Sequence, residues 1–245
     1  AARRLGDQRV EAHALLALAA AQGADEQHAA AVEAADEALD YFLELRDLKG
    51  EAHARLGLVE ASSSAKDFRR AVSEAEDAVE LLQRLRSPME VQAQHALVAV
   101  HIARGNPSMA RQVATEALRR SQQAGDRAAE AEALCMLVDA CVSEERFERA
   151  LSAAERALAI YREQGNRAME SKISGTISAL LVWLESFDRA LQVGEGALAL
   201  VKELGGTSDQ VVTMLMLAGV HLERGDGEQA LRTCVDTRED FRRAG

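Results

Sequence analysis

Apolar residues fall in steps of three and four along nearly the whole chain. Leu134, Leu137, Val138 and Cys141 share one face of a helix. After the polar break Glu144-Glu145-Arg146, a second face carries Phe147, Ala150, Leu151, Ala154, Ala157 and Leu158. This spacing fits a helix of about 3.6 residues per turn and not a strand. Similar breaks stand at Gly23, Ser62-Ser63-Ser64, Gly105-Asn106-Pro107 and Gly225-Asp226-Gly227, all built from turn-forming residues. Alternating apolar runs bounded by turns, the mark of strands, are absent. The pattern predicts twelve helices in six antiparallel pairs.

The pairs repeat. Alanine stands at 31, 71, 110, 150, 190 and 230, and again at 38, 78, 117, 157 and 197, with Thr237 ending the second series. A third series, Asp7, Asp47, Ser87, Asp126, Asn166 and Gly206, marks where each unit starts. Most of these side chains can accept a hydrogen bond from a free N–H of the first helical turn. Gly6, Gly125, Gly165 and Gly205 precede four of them, as helix-ending residues. A period in this range means a stack of one supersecondary unit. The expected fold is all-α, a right-handed superhelical solenoid of six helix pairs. It reads as one domain over residues 1–245, with units at 7–46, 47–86, 87–125, 126–165, 166–205 and 206–245. The recurring alanines have a packing reason, since closely crossing helices need a small side chain at the crossing.

These features resemble the tetratricopeptide repeat family. Leu18-Ala19, Leu58-Val59, Leu137-Val138 and Leu217-Ala218 stand where that family has a Leu-Gly pair in its first helix. The two alanine series match its second helix. The longer period, and runs such as Glu155-Arg156-Ala157-Leu158-Ala159-Ile160, are similar to the variety in kinesin light chains and Pins-type arrays. The family's Trp and Tyr in the first helix are missing, and Gly replaces the Pro that ends its second. The resemblance implies a scaffold that binds peptides or proteins. The family's two-carboxylate clamp needs a basic residue and Asn on successive first helices. Only Lys172 is so placed and its companion is Thr176, so that partner class is rejected.

Composition narrows the function. Net charge is −11 over 245 residues, which argues against nucleic acid, whose phosphates need a basic face. No apolar run is long enough to span a membrane. Cys135, Cys141 and Cys234 are odd in number and lie in helical patterns, so they read as reduced thiols in an intracellular compartment, the cytoplasm ahead of an organelle lumen. The chain opens on Ala1-Ala2-Arg3-Arg4-Leu5-Gly6-Asp7, which reads as the tail of a preceding second helix, so a segment of a longer array, or a processed chain, is expected.

No set of residues converges as a catalytic, metal or cofactor site would require, so the expectation is a non-enzymatic adaptor without cofactor. Stacking brings equivalent first-helix positions side by side. One column reads His13, His53, Ala93, Glu132, Lys172, Val212. The next reads Ala17, Gly57, Leu97, Met136, Thr176, Met216, and a third Ala20, Glu60, Val100, Asp139, Ala179, Gly219. Unit three is one residue short, and these columns place its deletion in the Gly105-Asn106-Pro107 turn. The groove candidates are therefore His13, His53, Leu97, Val100, Glu132, Met136, Asp139, Lys172, Thr176 and Met216. Leu97, Val100 and Met136 read equally as anchors or as interhelix core. The expected partner is a protein or peptide, basic or amphipathic, held in the concave groove by a few buried anchors. The alternative is a structural or ligand-sensing arm of a larger signalling or transcription-regulatory protein.

Overall fold

The fold was analysed in a computed structural model, which describes residues 2–205 and 207–244. Gly206, offered above as a unit start, lies outside them, as do the side chains of Asp7, Thr207, Ser208 and Thr237. The described residues form twelve helices and no strand. They are α1 (Ala2–Ala24), α2 (His28–Glu44), α3 (Leu48–Ser64), α4 (Phe68–Arg84), α5 (Glu90–Ala103), α6 (Pro107–Ala124), α7 (Arg127–Ser143), α8 (Phe147–Glu163), α9 (Arg167–Trp183), α10 (Phe187–Leu204), α11 (Thr207–Glu223) and α12 (Gly227–Ala244). This is the all-α solenoid class. The chain divides into two compact units, residues 1–117 and 118–245, with the division inside α6. Consecutive helices pack on one another from α1 to α5 and from α7 to α12, and first helices also touch at α1 on α3, α3 on α5 and α9 on α11.

The helix ends follow one rule. Each interhelix turn holds one residue of left-handed backbone: Glu26, Arg46, Lys66, Arg86, Gly105, Gly125, Glu145, Gly165, Glu185, Gly205 and Gly225. Around most of them the two bonds of a Schellman turn close the helix. Lys66 N–H donates to the Ser63 carbonyl at 3.0 Å and Asp67 N–H to the Ser62 carbonyl at 2.8 Å. The closing residue then caps the following helix. The Asp67 carboxylate accepts from Arg70 N–H at 3.1 Å, Asp47 from Gly50 at 3.2 Å, Asn166 from Met169 at 3.2 Å and Asp126 from Ala129 at 3.0 Å. One residue thus ends a helix and starts the next, which explains the short connections.

Three expectations move. The break between α3 and α4 falls at Ala65-Lys66-Asp67, and the serine run 62–64 completes α3. Ser63 stays helical with its hydroxyl donating to the Val59 carbonyl at 2.6 Å. Likewise α1 runs unbroken through positions 6 and 7, and Gly23 lies inside it. Left-handed residues stand 20 apart except between Arg86 and Gly105, where the interval is 19. The missing residue of unit three therefore lies before or within α5. Its entry is irregular: Ser87 Oγ accepts from Met89 N–H at 3.3 Å and the Ser87 carbonyl accepts from Glu90 N–H at 3.0 Å. Pro88 has no N–H and restricts the residue before it, which tightens this entry.

The core is built from the alanine ladders. Ala31, Ala71, Ala110, Ala150, Ala190 and Ala230 are all buried, and so are Ala38, Ala78, Ala117, Ala157 and Ala197. Close approach reaches its limit at Gly50, where a Cβ would stand 2.0 Å from the buried Phe42 ring. In unit five, serines replace aliphatic residues at the crossing. Ser178 donates to the Ala190 carbonyl at 2.7 Å and Ser171 to the Ala197 carbonyl at 3.2 Å, tying α9 to α10. Ion pairs repeat with the helices: Arg127–Glu163 at 2.6 Å recurs as Arg167–Glu203 at 2.5 Å.

Candidate functional site on the first-helix face

The one-residue shift in unit three rearranges the candidate columns. Counting back from the Gly105 turn, the residue equivalent to Gly57, Met136 and Thr176 is Ala96, not Leu97. The residue equivalent to Glu60 and Asp139 is Ala99, not Val100. Leu97 and Val100 are 6% and 3% exposed, with their side chains in the core beside Val59, Ala71, Val72 and Ala75. A cleft of about 360 Å³ lies between α3 and α5, lined on the α3 side by Leu56, Val59, Glu60 and Ser63 and on the α5 side by Gln92, Ala96 and Ala99. Val100 also lines it, although the residue is buried.

Met136 is also core, 1% exposed, because it is enclosed between α7 and its neighbours. It is therefore not an adaptable groove contact. His13 and His53 are exposed but engaged. The His13 ring meets Phe42 edge-on at 5.1 Å, and His53 Nδ1 bonds the Lys49 carbonyl of its own helix at 2.8 Å. Met216 is half-buried.

The remaining candidates lie on α7 and α9. Asp139 and Lys172 are exposed, and Glu132 and Thr176 are half-buried. Thr176 Oγ1 donates to the Lys172 carbonyl at 3.3 Å. Beneath them lies a feature the sequence reading missed. Tyr161, buried on α8, reaches through to α7 and donates its hydroxyl to Glu132 Oε1 at 2.9 Å, with Cys135 Sγ 3.6 Å from the same oxygen. Burial, with Cys135 and the Glu132 carboxylate beside it, pushes the Tyr161 phenol far above its ordinary value. Burial also raises the Cys135 thiol, which is a free cysteine. The phenol therefore stays protonated and fixes the orientation of Glu132.

A second missed feature closes α9. Trp183 is 68% exposed, yet its ring is ordered by stacking on Phe147 at 5.2 Å with the planes 6° apart. Residues 172, 176, 179 and 183 are four, three and four apart, so Trp183 shares the face of Lys172 and Thr176. Its counterparts in other units are Ser64, Ala103, Ser143 and Glu223. An aromatic ring in a column otherwise small or polar was the available sequence signal. Acidic residues surround this ledge in sequence: Glu144, Glu145 and Glu148 near Phe147, and Glu185 and Asp188 after Trp183.

Among the described residues no group of three or more His, Cys, Asp or Glu is placed to hold a metal ion. No described helix is long and apolar enough to cross a membrane.

Helix pairs repeated at this period, with side chains displayed on the first helix of each pair, define a repeat protein of the tetratricopeptide type. The sequence profile of the tetratricopeptide repeat family matches residues 89–163, and the helix pairs on either side of that stretch share its fold. The fold is similar to that of BtubC (BKLC) from P. vanneervenii, with a TM-score of 0.70 at 19% identity, covering 93% of this chain and 90% of that one. It is similar to a signal transduction ATPase with numerous domains carrying a tetratricopeptide repeat sensor, from Pyrococcus horikoshii (TM-score 0.69, 14% identity). That match covers 95% of this chain but only 36% of the larger protein. A Rap protein complexed with competence and sporulation factor matches with a TM-score of 0.64 at 14% identity, over 96% of this chain and 70% of that one. No curated protein sequence matches the chain.

Proposed function

We propose that this chain is a non-enzymatic interaction scaffold whose first-helix face on α7 and α9 receives a basic or amphipathic peptide segment. The observation that carries this reading is Trp183, a large ring held flat on Phe147 in solvent, where the core does not need it. A stacked ring loses little freedom on binding, so its contact area converts efficiently into affinity. Its face attracts a guanidinium or ammonium group. Asp139, and Glu132 oriented by Tyr161, add carboxylates on the neighbouring helix. The fold likeness to a Rap protein complexed with a signalling factor is consistent with a peptide ligand. The likeness to a repeat sensor within a larger ATPase favours a second reading, a ligand-sensing arm in a multidomain protein.

The test is a displayed library of random peptides selected on the whole chain. Basic or amphipathic sequences are expected to enrich. Trp183→Ala is expected to weaken the best of them at least tenfold by fluorescence anisotropy, with an unchanged thermal melt because the ring is exposed. Equal affinity for Trp183→Ala would reject this face.

A further inference from the structure

The opposite face of α9 carries a cavity of about 700 Å³ between α8, α9 and α10. Ser174 and Ile177 of α9 form its floor, with Leu158 of α8 and Val193 and Leu200 of α10 as apolar walls. Positions 174 and 177 are three apart and lie away from the Thr176–Trp183 face, so this site is separate from the proposed peptide surface.

The cavity exists because unit five lacks two side chains that other units have. The residue equivalent to Ser174 is Arg55 in unit two and Leu134 in unit four. The residue equivalent to Gly196 is Asp77 in unit two and Arg156 in unit four. In unit two these positions close on each other: Arg55 bonds Asp77 at 2.9 Å, Glu74 at 2.7 Å and Glu51 at 3.1 Å. In unit four Leu134 is fully buried and Arg156 reaches Glu130 at 3.7 Å. In unit five a serine and a glycine leave the space unfilled, and a Cβ built on Gly196 meets nothing within 4 Å.

Two ion pairs flank the opening, Arg162–Glu170 at 2.8 Å and Arg189–Glu155 at 3.4 Å. Each engages one guanidinium nitrogen, and the other donors of that fork meet no acceptor among the described residues. An apolar hollow within roughly 300–1,000 Å³, with a few polar groups converging at its edge, has the form of a small-molecule site. Guanidinium forks select planar or tetrahedral anions.

We propose that this cavity binds a small amphiphilic anion, its apolar body on Ile177, Leu158 and Val193 and its carboxylate or phosphate head on Arg162 or Arg189. Titration calorimetry of the whole chain with decanoate and, in a second arm, decyl phosphate tests it. One saturable site is expected, and the tighter of the two probes identifies the head. Gly196→Arg, which restores the residue unit four carries, is expected to weaken binding at least tenfold. Ser174→Leu, which restores Leu134's counterpart, is expected to do the same, so the test survives if either variant folds poorly. Arg162→Gln with Arg189→Gln is expected to bring decanoate down to the affinity of decanol. The proposal is overturned if wild type shows no saturable binding, if folded Gly196→Arg binds as wild type does, or if decyltrimethylammonium binds as tightly as decanoate. None of these outcomes depends on Trp183.

Discussion

Six interhelix turns place a non-glycine residue in the left-handed region, at φ between 48° and 62°, where five others use glycine. For a side-chain-bearing residue that conformation costs about 1–2 kcal/mol. Glycine gives back about 0.5–1 kcal/mol through its freer unfolded chain. Glu145→Gly is therefore expected to stabilise by about 0.5 kcal/mol. Gly165→Ala is expected to destabilise by about 0.5–1 kcal/mol, the backbone strain less the same entropy term, with no steric cost because an added Cβ there meets nothing within 4 Å. Denaturant midpoints of the two variants moving in the same direction would contradict this account. The same turns fix another position. The carbonyls of Gln22, Ser62, His101, Cys141, Leu181 and His221 each accept the amide five residues on, at 2.8 Å. The backbone thus sets this site and leaves the side chain free to vary. At His101 it holds an imidazole that is 4% exposed, with Nδ1 unpartnered. Burial lowers its pKa from the ordinary 6.5, outweighing the opposing pull of Glu76 on α4, while Arg104 in the turn after α5 adds to the lowering. The unfolded chain then binds more protons, so this contribution is complete above pH 6.5 and is lost as pH falls from there through the lower pKa of the folded state. His101→Leu, which copies Leu181, is expected to reduce the drop in melting temperature between neutral and mildly acidic pH. An unchanged drop would show that other groups control it.

At the scale of the elements, the fold rests on close crossings between first and second helices. Ala150 is fully buried on α8, in the ladder that runs through every second helix. Ala150→Leu inserts three carbons where the helix separation leaves room for one. The expected cost is about 1–3 kcal/mol, read as a lower melting temperature with helical content retained. A melt unchanged within error would mean that the ladder does not set the spacing. The serines of α9 show the other way to build such a crossing. Ser171 and Ser178 donate to carbonyls of α10, so these buried hydroxyls are satisfied across the pair. Unit five is the odd one in several respects: it carries Ser174 and Gly196 on the cavity side and Trp183 on the other. Its departures from the repeat coincide with both proposed surfaces. In a repeat array the regular positions serve stacking, and function is carried where a unit breaks the pattern.

For the whole molecule, the acidic balance of −11 argues against a nucleic-acid track, and under the proposed function it would speed the approach of a basic segment. The two compact units each carry their own first-helix surface: an apolar cleft between α3 and α5 in the first, and the charged and aromatic face of α7 and α9 in the second. They differ in chemistry although they come from the same repeat. The peptide and calorimetry experiments address the second unit from opposite sides of α9, so one can succeed while the other fails. A scaffold role needs the first result, and a ligand-sensing arm is favoured by the second.

The amino-acid sequence by itself determined the helical pairs, the period, the alanine ladders and the capping residues Asp47, Asp126 and Asn166. Those depend on local backbone chemistry and on spacing that every unit repeats. Helical periodicity groups Glu132 with Asp139 on α7 and Lys172 with Thr176 on α9, and the repeat register is the reason to expect the two pairs on one face. Tertiary structure alone decided the rest. The deletion of unit three was misplaced because either end of α5 could absorb it, and one residue was enough to carry Leu97 and Val100 from the surface column into the core. Met136 has the right helical phase for the face, but packing by neighbouring helices encloses it. The Trp183–Phe147 stack joins residues far apart in the chain, and the outer cavity is defined by side chains that are missing. A void depends on what every neighbour fails to fill, and no single position in a sequence records that.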